Sequence, residues 1–282
     1  MTVVKSNRRQ AGLGHPSDDQ AATPPAPGGG TDGGGVAFSL EGVSVSFPGS
    51  SANHPALDDV SLRCRDGEFL VLVGRSGSGK TTILNVLSGL LEPDAGEVSI
   101  LGGRPRAARP RMGFMFARDA LMPWRTARRN VELGLEILGR SGGERREAAT
   151  SMLERVGLGH AVNRLPWQLS QGMRQRVALA RTWVRQPKLL LMDEPFSALD
   201  AQTRRESQQV FLETWAGTSA SVVLVTHDLT EALLLADRLV LLSAGRILRE
   251  VEIPFERPRD LDQLVVSQEF RDLERELWEL LR

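Results

Sequence analysis

The sequence predicts an α/β fold, a mostly parallel sheet with covering helices. Three observations carry that prediction. Short β-rich runs alternate with helical periodicity from Val36 onward, the apolar run FLVLV ends in a glycine-rich turn that opens a helix, and a second apolar run, LLLM, ends in two carboxylates. Alternation of this kind places helices against strands that run parallel.

Residues 1–36 come first and contain ATPPAPGGGTDGGG. So little apolar surface cannot offset the entropy of ordering, so this segment is expected to be a disordered tail. The strands expected after it are Phe69–Val73, Met112–Phe116, Leu189–Met192, Val222–Val225 and Arg238–Leu242. The helices expected are Thr81–Leu90, Arg128–Leu138, Glu144–Val156, Gln171–Val184, Gln202–Trp215 and Leu229–Leu235. At the end, Glu269–Leu281 sets Phe270, Leu273, Leu277 and Leu280 at helical spacing, which fits a terminal helix packed on its own domain. No internal repeat is apparent, so one catalytic unit per chain is expected.

Composition narrows the function. The 282 residues hold 35 basic and 35 acidic side chains, so no strongly basic stripe of a nucleic-acid binder is expected. The basic cluster Arg104–Arg111, RPRAARPR, reads as a solvated loop. Cys64 is the single cysteine and excludes an intrachain disulfide or a cysteine metal cluster; in the strand Val60–Arg65 it reads as a small buried residue. No secretory leader or spanning segment is visible, so membrane association is expected to come through a partner.

The chemistry begins at Gly74-Arg75-Ser76-Gly77-Ser78-Gly79-Lys80-Thr81, which matches GxxxxGK[ST] between a strand and a helix. The glycines let successive backbone N–H groups turn inward on phosphates, and the helix N-terminus adds its dipole. Lys80 is expected to pair with the β- and γ-phosphates of ATP and the Thr81 hydroxyl to bind Mg²⁺, with Thr82 beside them. A plain strand-to-helix turn accounts for the glycines but not for Lys80 or Thr81.

Leu189–Glu194 supplies the second part. Asp193 is expected to hold Mg²⁺, directly or through water, and Glu194 to polarise the attacking water as general base. An acidic strand end also serves as a helix cap, so this element gains its meaning from the upstream loop.

Upstream of that acidic strand lies Leu169-Ser170-Gln171-Gly172-Met173-Arg174-Gln175-Arg176. LSQGM resembles the LSGGQ signature of the ATP-binding-cassette (ABC) family, RQRVALARTW its following helix, and PFSALD its D-loop. Ser170, Gln171 and the Gly172 amide form a second anion-binding helix start; alone, Ser170 is also an ordinary N-cap. Further matches keep the family's order across Val36 to Arg246. Phe47 looks like the aromatic that stacks on adenine, although in an alternating strand it is equally a core residue. His227 looks like the switch histidine that contacts the γ-phosphate and helps Glu194.

The resemblance implies a P-loop NTPase core with an antiparallel β subdomain and a helical signature-motif subdomain at about 118–185. It places the ATP-binding domain at 37–256 and a C-terminal helical extension at 257–282. It also implies a shared site, in which Ser170 and Gly172 of a second copy close over ATP held by Lys80 and Thr81. One departure stands out: relatives commonly carry Gln where this chain has Ala117. Losing one preorganised donor costs roughly 10²–10³ in rate, so hydrolysis is still expected, with Arg118 or Asp119 as the residues that replace or rewire the contact.

LMPWRTARRNVELGLEI and PFERPRD resemble ATPases of the nitrate, sulfonate and taurine importers. The resemblance implies a cassette pair, most simply a homodimer, on the cytoplasmic face of the membrane. Its partners are transmembrane permease subunits and, indirectly, an extracytoplasmic solute-binding protein. Permease docking is expected beside Ala117–Arg125, where Met122 and Trp124 are either contact residues or core. The competing readings are a soluble ABC ATPase acting on nucleic acid or ribosomes, and a low-activity regulatory cassette.

Overall fold

A computed structural model describes residues 35–47 and 55–281. The tail expected over residues 1–36 falls, through residue 34, outside the described residues; Val36 already pairs within a strand, so the folded chain starts one residue earlier than expected.

Two sheets share the core. The first is antiparallel, in the order β2-β1-β4, from β1 (Val36–Val45), β2 (Leu57–Arg65) and β4 (Ala95–Ile100). Irregular pairing along β1 with both neighbours lets its alternating side chains, Phe38, Leu40, Val43 and Val45, curl onto the second sheet. Cys64 is buried in β2 as expected, and burial pushes its thiol up, away from the reactive thiolate.

The second sheet runs β5-β6-β7-β3-β8-β9, with β3 (Phe69–Gly74), β5 (Met112–Met115), β6 (Leu189–Asp193), β7 (Ser221–Thr226), β8 (Arg238–Ser243) and β9 (Arg246–Glu252). All pairs but β8 with β9 are parallel. β3, β7 and all but the last residue of β6 are buried, so these strands read as unbroken apolar runs.

Helices cover both faces: α1 (Lys80–Leu87), α2 (Pro105–Ala108), α3 (Ala127–Glu136), α4 (Gly142–Arg155), α5 (Gln171–Trp183), α6 (Ala201–Trp215), α7 (Leu229–Leu235), α8 (Leu261–Val266) and α9 (Gln268–Leu280). α1 stops at Leu87 rather than Leu90 because Gly89 turns left-handed and Leu90 N–H reaches back to Asn85. Arg109 then donates to the carbonyls of Ser88 and Gly89, and Arg111 to that of Leu101. Arg109 thus caps the end of α1; the arginines of the cluster are exposed as expected, but Pro105–Ala108 is a helix and not a loop.

α3, α4 and α5 form the helical layer. α5 approaches its neighbours closely: a Cβ on Gly134 of α3 would lie 3.0 Å from the Arg181 carbonyl, and one on Gly113 of β5 2.6 Å from Thr182 Cγ2. The two glycines permit those contacts. Of the expected stripe, α9 lays Phe270 and Leu277 into the same core as Leu233 and Leu235 and packs Leu273 partly against it, while Leu280 is exposed.

Candidate functional site

Strand register builds the site. In the row β6-β7-β3, Asp193 pairs with Val225 and Val73 with Thr226, so Asp193, Thr226 and Gly74 end their strands at the same edge, each one residue beyond the last. The chain order reverses beside β3, and crevices at the carboxyl ends of such strands are where α/β folds bind ligands. Each strand then delivers its polar residues to that edge.

After β3, the chain wraps from Gly74 to Gly79, with Gly77 and Gly79 left-handed. A side chain on Gly79 would meet the Ala56 carbonyl at 2.7 Å, and one on Gly74 the Leu242 carbonyl at 2.3 Å. Lys80 folds back, buried, and its Nζ donates to the carbonyls of Gly74 at 2.7 Å and Arg75 at 2.9 Å. Burial lowers the Lys80 pKa, opposed by the negative charges of Glu194 and Asp193. An ammonium held by main-chain oxygens under a loop of N–H groups is suited to a polyphosphate.

Thr81 Oγ1 donates to Asp193 Oδ1 at 3.2 Å. Burial raises the Asp193 carboxyl above its ordinary value, the Thr81 hydrogen bond opposes this, and the Glu194 charge adds to it. Among the described residues no three His, Cys, Asp or Glu gather into a metal cage. Two oxygen ligands beside a phosphate loop instead suit Mg²⁺, which keeps several waters and takes substrate phosphates as ligands.

Glu194 sits one residue past the strand, in the left-handed region at φ 45°, which only a few per cent of non-glycine residues adopt. Its N–H donates to Val225 O at 2.9 Å, and its carbonyl accepts from Ser197 Oγ at 2.9 Å. The side chain reaches His227, whose Nδ1 lies 3.1 Å from Glu194 Oε2.

A cavity of about 280 Å³ collects Phe47, Ser76, Gly77, Ser78, Gly79, Lys80, Thr81, Thr82 and Glu194. The alternative of Phe47 as a core residue in a strand does not hold: β1 ends at Val45, and the ring stands 44% exposed at the cavity. An exposed aromatic at the rim of a phosphate site is placed to stack.

Ser170, Gln171 and Gly172 do not join this cavity. They open α5, where Ser170 Oγ accepts from Met173 N–H at 3.3 Å as an N-cap, and a Cβ on Gly172 would strike Thr203 Cγ2 at 2.2 Å. Within one chain this helix start stands apart from the cavity at the glycine-rich loop.

Two contacts here have no sequence signal of their own. Arg204 donates to Asp228 Oδ2 at 3.0 Å and to the Leu199 carbonyl at 3.1 Å, joining the loop before α6 to the residue after His227. Asp119, one of the two residues expected to replace or rewire the contact of the missing Gln, accepts from Arg174 Nε at 2.9 Å. Arg118 is exposed, and Ala117 offers no polar atom.

Comparison with known proteins gives the same picture. The family model described as ABC transporter matches residues 57–197. The Taurine import ATP-binding protein TauB of Chromobacterium violaceum is 46% identical over 225 residues, which cover 79% of this chain and 85% of that protein. Its namesake in Yersinia pestis is 46% identical over 208 residues, covering 74% and 80%. A solved dimeric ATP-binding cassette in a post-hydrolysis state, bound to ADP and Pi, superposes with a TM-score of 0.69 at 34% identity, covering 78% of this chain and all of that one. A second dimeric structure of a bacterial ABC transporter cassette gives 0.68 at 35% identity, with the same coverage of this chain.

Proposed function

The chain belongs to the ABC transporter family and is an importer ATPase, and from that premise we propose how its residues divide the work and which solute it serves. The backbone of Gly74–Gly79 and Lys80 bind the phosphates of ATP, and Phe47 stacks on the adenine. Thr81 and Asp193 would hold Mg²⁺. Held there, it would supply positive charge to offset that of the phosphates. Glu194 accepts a proton from the attacking water as general base, and His227 orients the Glu194 carboxylate toward it. The observation that carries this reading is the His227–Glu194 contact of 3.1 Å beside the Lys80 loop.

The second half-site, Ser170–Gly172, points to a pair of cassettes. Since it stands apart from the pocket of its own chain, it closes over the nucleotide of a partner copy, where its helix start meets the γ-phosphate. The solved dimeric cassettes that this chain superposes on support that arrangement. Among the described residues no helix is long and apolar enough to cross a membrane. The chain is accordingly proposed to sit on the cytoplasmic face of the cell membrane through permease subunits. Trp124, 74% exposed beside Met122, offers them an apolar contact. An extracytoplasmic binding protein would deliver the solute, and similarity to proteins named for taurine import points to a small sulfonate.

Two measurements test this reading. Purified chain should release phosphate from ATP with a steep dependence on protein concentration, and Ser170→Arg should abolish activity in the assembled complex. Cells lacking the chain should lose uptake of labelled taurine while keeping uptake of nitrate. Ser170→Arg with full activity would sink the shared site, and unchanged taurine uptake would sink the sulfonate assignment.

A further inference from the structure

The loop between β5 and α3, residues 116–126, is fastened to the helical layer and not to its own phosphate pocket. Asn130, fully buried in α3, accepts from Met122 N–H at 2.7 Å and donates to the carbonyls of Met122, Arg125 and Thr126. From the other side, Arg181 of α5 donates to the carbonyls of Asp119 at 2.8 Å and Ala120 at 2.7 Å. Arg174, one turn into α5, donates Nε to the Asp119 carboxylate at 2.9 Å and Nη1 to the Leu169 carbonyl at 2.9 Å. One guanidinium therefore spans the loop and the residue just before Ser170.

At Ala117 the loop carries only a methyl group, a side chain with no donor or acceptor for water or metal. α5 packs closely on Gly113 and Gly134 at both flanks of the loop, where an added Cβ would stand 2.6 Å from Thr182 Cγ2 and 3.0 Å from the Arg181 carbonyl, so little slack separates them. A displacement of residues 116–126 is thus carried into α5 and its N-terminus. Charged groups bridging rigid elements transmit such a shift only if the pair moves as a unit, and Asp119 and Arg174, each a little under a third exposed, are in direct contact at 2.9 Å.

We propose that Asp119 is a positioning residue that passes movement of this loop through Arg174 to Ser170–Gly172, so that the loop governs hydrolysis of the ATP held by the partner cassette rather than its own. The inference rests on the shared-site, permease-coupled reading above. It assigns a direction to the coupling, from one cassette's loop across to the other's phosphates.

The test uses full-length chain, alone and assembled with its permease subunits in lipid, and reads the increment in ATP hydrolysis on assembly. Asp119→Asn keeps an acceptor for the Leu121 N–H and removes the charge facing Arg174. Expected is a basal rate within about twofold of wild type, a loss of most of the increment, and its retention in Asp119→Glu. Direction is read in mixed pairs in which one cassette carries Glu194→Gln, leaving one live site. Asp119→Asn in the cassette with Glu194→Gln should remove the increment, and in the live-site cassette it should not.

Loss that follows the live-site cassette, or an unchanged increment in both arrangements, overturns the inference while the importer reading stands. A wild-type pair whose hydrolysis ignores the permease overturns both. A fall in basal rate equal to the fall in increment would reduce Asp119 to a structural role and also overturn the inference.

Discussion

His227 Nδ1 stands 3.1 Å from Glu194 Oε2, and the two residues close a ring of contacts around the acidic strand end. Ser197 Oγ ties the Glu194 carbonyl to the following loop, Arg204 ties that loop to Asp228, and Asp228 adjoins His227. The left-handed backbone at Glu194 is held by this ring, which aims its carboxylate across the edge of the sheet toward the phosphate loop.

If Glu194 is the general base, Glu194→Gln keeps the shape and loses the proton acceptor. Turnover is expected to fall by about 10²–10⁴. ATP affinity should stay within a few-fold, since the phosphate contacts lie on Gly74–Thr81. Phosphate release together with equilibrium nucleotide binding checks both halves; a variant that still turns over at a tenth of the wild-type rate would remove Glu194 from that role.

Asp228→Asn tests the ring without disturbing the helix. Asp228 Oδ1 caps α7 by accepting from Glu231 N–H at 3.0 Å, and Asn caps as well as Asp. Its ion pair with Arg204 is about a third exposed, so its worth to stability is under about 1 kcal/mol. Turnover is expected to fall several-fold with KM for ATP unchanged, and Arg204→Gln combined with Asp228→Asn should be no slower than either alone. Additive losses would mean that the two residues act separately.

Much of this was legible beforehand because the local signals agree with the fold. The buried runs FLVLV and LLLM, closed by Gly74 and Asp193, admit one reading as strands, and the register does the rest of the assembly. β4 and β9 escaped because their residues are largely exposed, leaving no apolar run to detect. α8 escaped for a similar reason: of its six residues only Leu261 is buried. Phe47 was legible as a candidate site residue, but its place beyond the end of β1 was not. The Asp119–Arg174 pair joins residues 55 positions apart, and neither carries a motif that names the other. Such contacts are products of the tertiary arrangement, and only the motif-bearing half of the site can be read without it.

Ala117→Gln addresses the departure at the loop. Asp119 is engaged by Arg174, Arg118 is exposed, and the Ala117 side chain has no donor to offer. A preorganised active-site donor is worth roughly 10²–10³ in rate, although a Gln restored on a loop not shaped for it recovers only part. Single-turnover hydrolysis is expected to rise by about tenfold or more. No rise would show that this site works by another arrangement of its remaining groups.

Glu231 gives the pH dependence of stability. It is buried at the start of α7 and accepts from Gln208 Nε2 at 2.8 Å. Burial pushes its carboxyl above the ordinary value, and hydrogen bonds from Thr226 and Gln208 oppose the shift without cancelling it. With the folded pKa above the unfolded one of about 4.3, the folded state binds more protons between the two values. Stability from this group is therefore full below the unfolded value, declines as pH rises through the window, and is level above the folded value. Glu231→Gln keeps the acceptor for Gln208 and has no proton to lose. The variant's advantage in thermal midpoint should grow from about pH 4 upward and then plateau. Parallel curves for the two proteins would place the ionised carboxylate in an environment that solvates it as well as water does.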